Sequence, residues 1–328
     1  MNYSDIIFPV INELESVERI IGKVLKSDFK AVNDMSGYVF DSRGKRIRPA
    51  LLLMSAKLFA KINTLALKTA AAVELIHSAT LVHDDIIDNA SMRRSKLSVN
   101  NKFGNTAAVL FGDYLYCQAF EVISRFNDGF IAENLLKAAR SMCEGEIFQN
   151  INNYNAHIAY KEYLSIIESK TARFLSKCSA LGAYCVKAAP AAVKNMEKFG
   201  LNMGMAFQIV DDVLDVASDD KIIGKPTAKD LLEGKITLPL LILLDRLDSK
   251  KRSGIIKKIS SAVNKKLTPD FVGGLMNLCR EYETPEASME IARKYIRRSL
   301  LYLEKAGGRP EMSRKLRFFC EFTAGRRA

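Results

Sequence analysis

Residues 74–88 read ELIHSATLVHDDIID, an apolar stretch that runs into three aspartates. Asp84 and Asp88 are four apart and share one face of a helix. The pattern returns as VDDVLD at 210–215, which places Asp211 and Asp215 in the same relation. Apolar turns precede both motifs: Leu81 and Val82 before the first, Phe207, Ile209 and Val210 around the second. Outward from these stretches the apolar residues keep a helical period. Helices are expected at about 5–29, 47–62, 65–90, 105–127, 130–150, 160–187, 190–218, 234–249, 252–265, 269–283, 286–306 and 310–324. No run of alternating β-branched residues competes. Pro49 suits a first helical turn, and Gly224-Lys225-Pro226 marks a loop. No Pro/Gly/Ser-rich linker divides the chain. The expectation is a single all-α domain over residues 1–328, a bundle of ten or more helices.

Composition narrows the class. The 328 residues are 48% apolar and 26% charged, enough for a large core under a charged surface. The net charge of +12 calls for an anionic partner: nucleic acid, anionic lipid or phosphorylated small molecules. Part of the excess lies in the Lys/Arg-dense segments 250–266 and 293–328, where a solvated surface explains it. Six cysteines without a CxxC pair, and only three histidines, argue against a zinc site or a disulfide framework and fit a reducing compartment. Asp5, Glu13 and Glu15 interrupt the early apolar residues, so no secretory signal is expected. The longest apolar candidate noted, Ile236 to Leu244, is about half the length of a membrane span.

Paired carboxylates at this spacing repel and need a cation. Magnesium suits them, because it takes oxygen ligands and is usually held by one or two carboxylates plus substrate phosphates. A calcium loop of EF-hand type needs a different spacing and a central glycine. One such motif alone reads as a solvated helix end; two, each at the end of an apolar stripe, point to a cavity. Cations recur where phosphate would bind. GKRIRP at 44–49 opens a helix, whose free N–H groups favour anions. Arg93 and Arg94 follow the first acidic motif, Lys170 and Thr171 lie within a helical segment, and Lys225 and Lys235 flank the loop after the second motif.

Taken together, GKRIRP at 44–49, ELIHSATLVHDDIID at 74–88, MRR at 92–94, GNTAAVLFGDYLY at 104–116, KTA at 170–172, GMAFQIVDDVLD at 204–215 and GKPTAKDLLEGKITLPLL at 224–241 resemble the trans-type polyprenyl diphosphate synthase family, its medium- and long-chain members above all. The likeness runs in order through roughly residues 40–245. It implies the isoprenoid synthase fold, helices around a central cavity. Two positions depart from the family pattern: Ser95 and Ala228 stand where glycine is usual, and glycine alone accepts positive φ freely.

The resemblance also assigns roles. Two or three magnesium ions would sit on Asp84, Asp88, Asp211 and Asp215. The allylic diphosphate would be held by Arg93, Lys170, Thr171, Gln208, Lys225 and Lys235, and isopentenyl diphosphate by Lys45, Arg48, His77 and Arg94. Asp85 and Asp212 would shape the electrostatics. Ala79, Thr80 and Ile76 would line the elongation tunnel; Ala79 and Thr80 are small, and the product is expected between C30 and C50, C40 best, for a quinone side chain. A cytoplasmic homodimer is expected, with segment 104–120 (Val109, Leu110, Leu115, Phe120) as interface or ordinary core. A peripheral membrane contact for product release stays open. Competing readings are a terpene cyclase, a non-catalytic partner subunit and a nucleic-acid binder; the paired motifs and the absence of a nucleic-acid-binding motif disfavour them.

Overall fold

The computed structural model describes residues 7–41, 44–217, 228–263 and 267–324. The chain is all-α. After a short 3-10 turn its helices are α1 (Ile11–Val24), α2 (Lys30–Asp41), α3 (Ile47–Phe59), α4 (Thr64–Ile87), α5 (Val99–Phe103), α6 (Asn105–Ser124), α7 (Gly129–Ile151), α8 (Tyr160–Ile167), α9 (Arg173–Cys185), α10 (Pro190–Ala217), α11 (Lys229–Leu232), α12 (Leu238–Arg246), α13 (Ser249–Ser260), α14 (Pro269–Glu281), α15 (Thr284–Ala306) and α16 (Pro310–Ala324). The chain divides into two compact units. The first comprises residues 1–139, 177–197 and 305–316; the second, 140–176, 198–304 and 317–328.

In the first unit α4 is the central element and packs along α6, α3 and α1. Asn63 caps it, its side chain accepting from the Ala66 N–H at 2.9 Å. Ala70, Ala71, Ala72, Val73, Leu75, Ile76 and Ala79 are wholly buried. This helix is long and apolar enough to cross a membrane by length and composition alone. Its most apolar window is 67% buried within the protein, as befits a core helix. In the second unit one apolar cluster joins Leu231, Leu240, Leu243, Ile259, Leu275 and Cys279. Another joins Tyr163, Ile167, Ala172, Ala206, Ile209 and Leu238.

Three local features differ from the sequence reading. The first expected helix, over 5–29, ends early as α1 at Val24, and α2, Lys30–Asp41, lies where no helix was expected. Ser27 and Asn33 hold the break: the Ser27 N–H donates to Asn33 Oδ1 at 3.0 Å, and Asn33 Nδ2 donates to the Ser27 carbonyl at 2.7 Å. A small antiparallel hairpin, β1 (Met92–Arg93) with β2 (Lys96–Leu97), follows α4. Arg94 and Ser95 turn it with φ of 50° and 63°, the positive pair that a two-residue hairpin loop requires. The expected helix over 160–187 is interrupted by a π turn, Glu168–Ala172, between α8 and α9. Cys178, Cys185, Cys279 and Cys320 are buried thiols, and burial pushes those of Cys178 and Cys320 up to about 12.

Candidate active site

In the first unit the basic stretch 44–48 leads into α3. Arg46 takes the left-handed conformation, φ 49° and ψ 37°, just before the helix starts at Ile47. The Arg48 Nη1 lies 2.9 Å from His77 Nε2. Arginine can only donate, so Nε2 accepts and the ring proton sits on Nδ1, which is buried without a hydrogen-bond partner among the described residues. Burial first, then the Arg48, Arg94, Arg93 and Arg46 charges, holds His77 well below its ordinary pKa, so the ring is neutral. Arg46 is paired at 2.5 Å with both Glu18 and Glu74. The Arg93 Nε donates to both oxygens of the buried Asp85 at 2.7 Å. A cavity here is lined by Tyr38, Arg46, Ser78, Leu81, Val82, Asp85, Arg93, Arg94 and Lys96. Lys45 is exposed at the start of the stretch.

Asp84 and Asp88 close α4, both half-buried, with the Asp88 N–H on the Asp84 carbonyl at 2.8 Å. The negative end of the helix dipole adds to their repulsion, which favours a bound cation. Ala79 and Ile76 are wholly buried, and the Thr80 hydroxyl donates to the His77 carbonyl at 2.7 Å. The residues of α4 that line the cavity just described are Ser78, Leu81, Val82 and Asp85, not these three.

The second unit brings the candidates Lys170, Gln208 and Lys235 to one cavity, lined also by Gln149, Tyr163, Asp212 and Asp230, while Thr171, Asp211 and Asp215 do not line it. The π turn carries Lys170 and Thr171. Two glycines let their helices approach it: a Cβ on Gly145 would lie 2.9 Å from the Lys170 amide nitrogen, and one on Gly204 would lie 2.5 Å from the Ala172 Cα. The Lys170 Nζ meets Glu146 at 2.5 Å and donates to Gln149 Oε1 at 2.7 Å. The Thr171 hydroxyl donates to Gln208 Oε1 at 2.7 Å, and Gln208 Nε2 donates to Asp212 Oδ1 at 2.9 Å. The Tyr163 hydroxyl donates to Asp212 Oδ2 at 2.7 Å. Lys235, almost buried, pairs with Glu233 at 2.6 Å.

The second acidic motif splits its aspartates. Asp211 is exposed, Asp212 is buried and Asp215 is half-buried. The Asp215 carbonyl accepts the Ala228 N–H at 2.9 Å, and its carboxylate accepts the N–H groups of Lys229 and Asp230 at 3.1 Å each. Ala228 has φ 58°, the turn that brings these amides to one carboxylate. Burial, then Asp230, pushes Asp215 up to about 7. Burial likewise raises Asp212 well above the carboxylate range, with Asp230 adding to it. Among the described residues no three His, Cys, Asp or Glu side chains form a metal cage by themselves. Asp84 and Asp88 crowd at a helix end, and carboxylates are the hard oxygen donors that magnesium shares with substrate phosphates, so these residues fit that ion. Lys225 lies outside the described residues.

The sequence reading did not single out Glu18, Glu74, Glu146, Gln149, Tyr163 or Asp230. Spacing carried a signal for some of them. Glu74 is one helical turn before His77, and Glu146 and Gln149 share a face of α7.

The polyprenyl synthetase family pattern matches residues 29–268. The chain belongs to the polyprenyl synthetase family. It is 36% identical over 244 residues to the octaprenyl diphosphate synthase of Escherichia coli strain K12, which covers 74% of this chain and 75% of that protein. It is 32% identical over 335 residues to the geranylgeranyl diphosphate synthase of Sulfolobus acidocaldarius, spanning 100% of both. Among solved structures, a polyprenyl synthase from Caulobacter crescentus, complexed with calcium and isoprenyl diphosphate, superposes with a TM-score of 0.92 at 29% identity, covering 100% of this chain and 98% of that one. The decaprenyl diphosphate synthase of Rhodobacter capsulatus gives 0.92 at 27% identity and covers 99% of each chain. This family member is therefore a prenyltransferase of the polyprenyl diphosphate synthase class with the isoprenoid synthase helical fold. Its relatives' names run from geranylgeranyl to decaprenyl products.

Proposed function

We propose that this synthase joins isopentenyl diphosphate head-to-tail to an allylic diphosphate, farnesyl or geranylgeranyl, with magnesium as cofactor. The observation that carries the reading is the cavity in the second unit bordered by Lys170, Lys235 and Gln208 over the carboxylates of Asp212 and Asp230. Two ammonium groups there are already balanced by Glu146 and Glu233, so an incoming diphosphate meets cations held in place rather than free chains. Lys170, Thr171, Gln208, Lys225, Lys235 and Arg93 receive the allylic diphosphate. Two or three magnesium ions on Asp84, Asp88, Asp211 and Asp215 would neutralise the charge that builds on the leaving diphosphate. The C–O bond breaks to leave an allylic cation and diphosphate. Lys45, Arg48, Arg94 and neutral His77 hold isopentenyl diphosphate, whose double bond attacks the cation. A proton then passes to the released diphosphate.

The product is a C30 to C50 all-trans chain, with C40 the best value, suited to a quinone side chain. Ala79 and Thr80 support this, since neither blocks the helical turn before the first acidic motif. The test is Ala79→Phe, which should stop growth near C15 to C20 while the first condensation survives; an unchanged product distribution would remove the basis for the length. We also read residues 1–328 as one functional domain, working as a cytoplasmic homodimer with a peripheral membrane contact for product release. The exposed Val109 and Leu110 on α6 support an interface there, whereas Leu115 on the same helix is core.

A further inference from the structure

We propose that Arg46 and Glu74 are a positioning pair that fixes the isopentenyl diphosphate cradle. The inference rests on the functional reading above, which gives that substrate to Lys45, Arg48, His77 and Arg94. Arg46 stands between Lys45 and Arg48, yet its environment differs from that of a phosphate ligand. Its side chain is 9% exposed and its charge is met by two carboxylates, Glu18 from α1 and Glu74 from α4, at 2.5 Å each. Glu74 is itself only 3% exposed. The guanidinium also lies 5.6 Å over the Phe40 ring. A charge so matched has no call to reach for substrate.

What it holds is the backbone. Arg46 is left-handed at φ 49°, a conformation that a side chain this large keeps only where its surroundings impose it. The turn made there starts α3 at Ile47 and puts Arg48 in the first helical turn, against His77. Glu74 and His77 are three apart on α4, so one helix face receives both Arg46 and Arg48. The same loop also seats Arg94. A Cβ on Gly44 would collide with the Arg94 guanidinium, so that side chain rests directly on the loop backbone. The Glu74 charge acts on Arg46, Arg48 and Arg94 alike. Glu74 is thus the counter-charge around which the cradle's arginines are set, and Arg46 is the tie between it and the loop.

The test compares the parent with Glu74→Gln, Arg46→Lys and the control Glu18→Gln. It measures equilibrium binding of isopentenyl diphosphate alone, and steady-state KM for each substrate. Glu74→Gln and Arg46→Lys should weaken isopentenyl diphosphate by about tenfold or more, in binding and in KM. The KM for the allylic substrate and kcat at saturation should stay within about twofold, the signature of a lost ground-state binding geometry. Glu18→Gln, which alters the more exposed of the two carboxylates, should stay within about threefold for both. A parallel rise of both KM values would mean general loosening and would overturn the inference, as would unchanged binding in Glu74→Gln. Arg46→Lys keeps a cation in the loop and carries the test if Glu74→Gln does not fold. A parent that neither binds nor consumes isopentenyl diphosphate would instead sink the functional reading, and this inference with it.

Discussion

Restoring glycine at the two left-handed departures should have unequal effects. Ser95 sits in the hairpin turn at φ 63° and is exposed; Ala228 sits at φ 58° and is 1% exposed, within an apolar cluster. A left-handed non-glycine residue costs roughly 1–2 kcal/mol. Glycine removes that cost but gives back roughly 0.5–1 kcal/mol, because its unfolded chain is freer. Ser95→Gly should therefore stabilise the protein by about 0.5–1 kcal/mol. Ala228→Gly gains the same relief but loses a buried methyl, worth about 0.8 kcal/mol. Its net effect should be about zero. The assay is urea unfolding followed by far-UV circular dichroism, at one protein concentration because association shifts the midpoint. With a slope of about 3 kcal/mol/M, Ser95→Gly should raise the midpoint by about 0.2–0.3 M and leave the slope unchanged. A Ser95→Gly midpoint at or below the parent's would refute the strain argument. So would an Ala228→Gly gain as large as that of Ser95→Gly.

Two further outcomes follow from the same geometry. His77 is held below its ordinary pKa in the folded state, so below about pH 6.5 the unfolded chain takes up a proton that the native ring refuses, and this group costs stability as pH falls, by up to about 1.4 kcal/mol per unit. The stability difference between parent and His77→Gln should therefore change between pH 7 and pH 5, with the parent losing more; parallel profiles would show that the ring is protonated in the fold. Gly204→Ala would drive a methyl into Ala172 of the π turn. It should destabilise by roughly 1–3 kcal/mol and raise the KM of the allylic substrate but not of isopentenyl diphosphate; wild-type kinetics would separate the π turn from the allylic site.

Much of this was legible in the sequence, for physical reasons. The helices at 47–59, 64–87, 105–124 and 190–217 announce themselves because a long buried face must repeat at the helical period. The aspartate pairs were visible because four-residue spacing puts both on one face whatever surrounds them. The missed features depend on tertiary partners. Nothing local says that Arg46 pairs with Glu74 across 28 positions, or that the Tyr163 hydroxyl meets Asp212 across 49. The π turn was hidden because the glycines packed against it, Gly145 and Gly204, lie outside the segment that bends. Helix α2 was hidden because Asn33, Asp34, Ser36 and Gly37 are weak helix formers that mask its apolar period. The strain at Ser95 and Ala228 was half visible: the family pattern flagged the positions, and the backbone shows why glycine is usual there.

The most direct measurement is chromatography of the products formed when the purified protein is given geranylgeranyl diphosphate, radiolabelled isopentenyl diphosphate and magnesium, with a parallel sample in EDTA. The account predicts labelled all-trans polyprenyl diphosphates centred on C40 with magnesium, and none with EDTA until magnesium is returned. Undiminished label incorporation in EDTA, or cyclised products formed without consuming isopentenyl diphosphate, would contradict it.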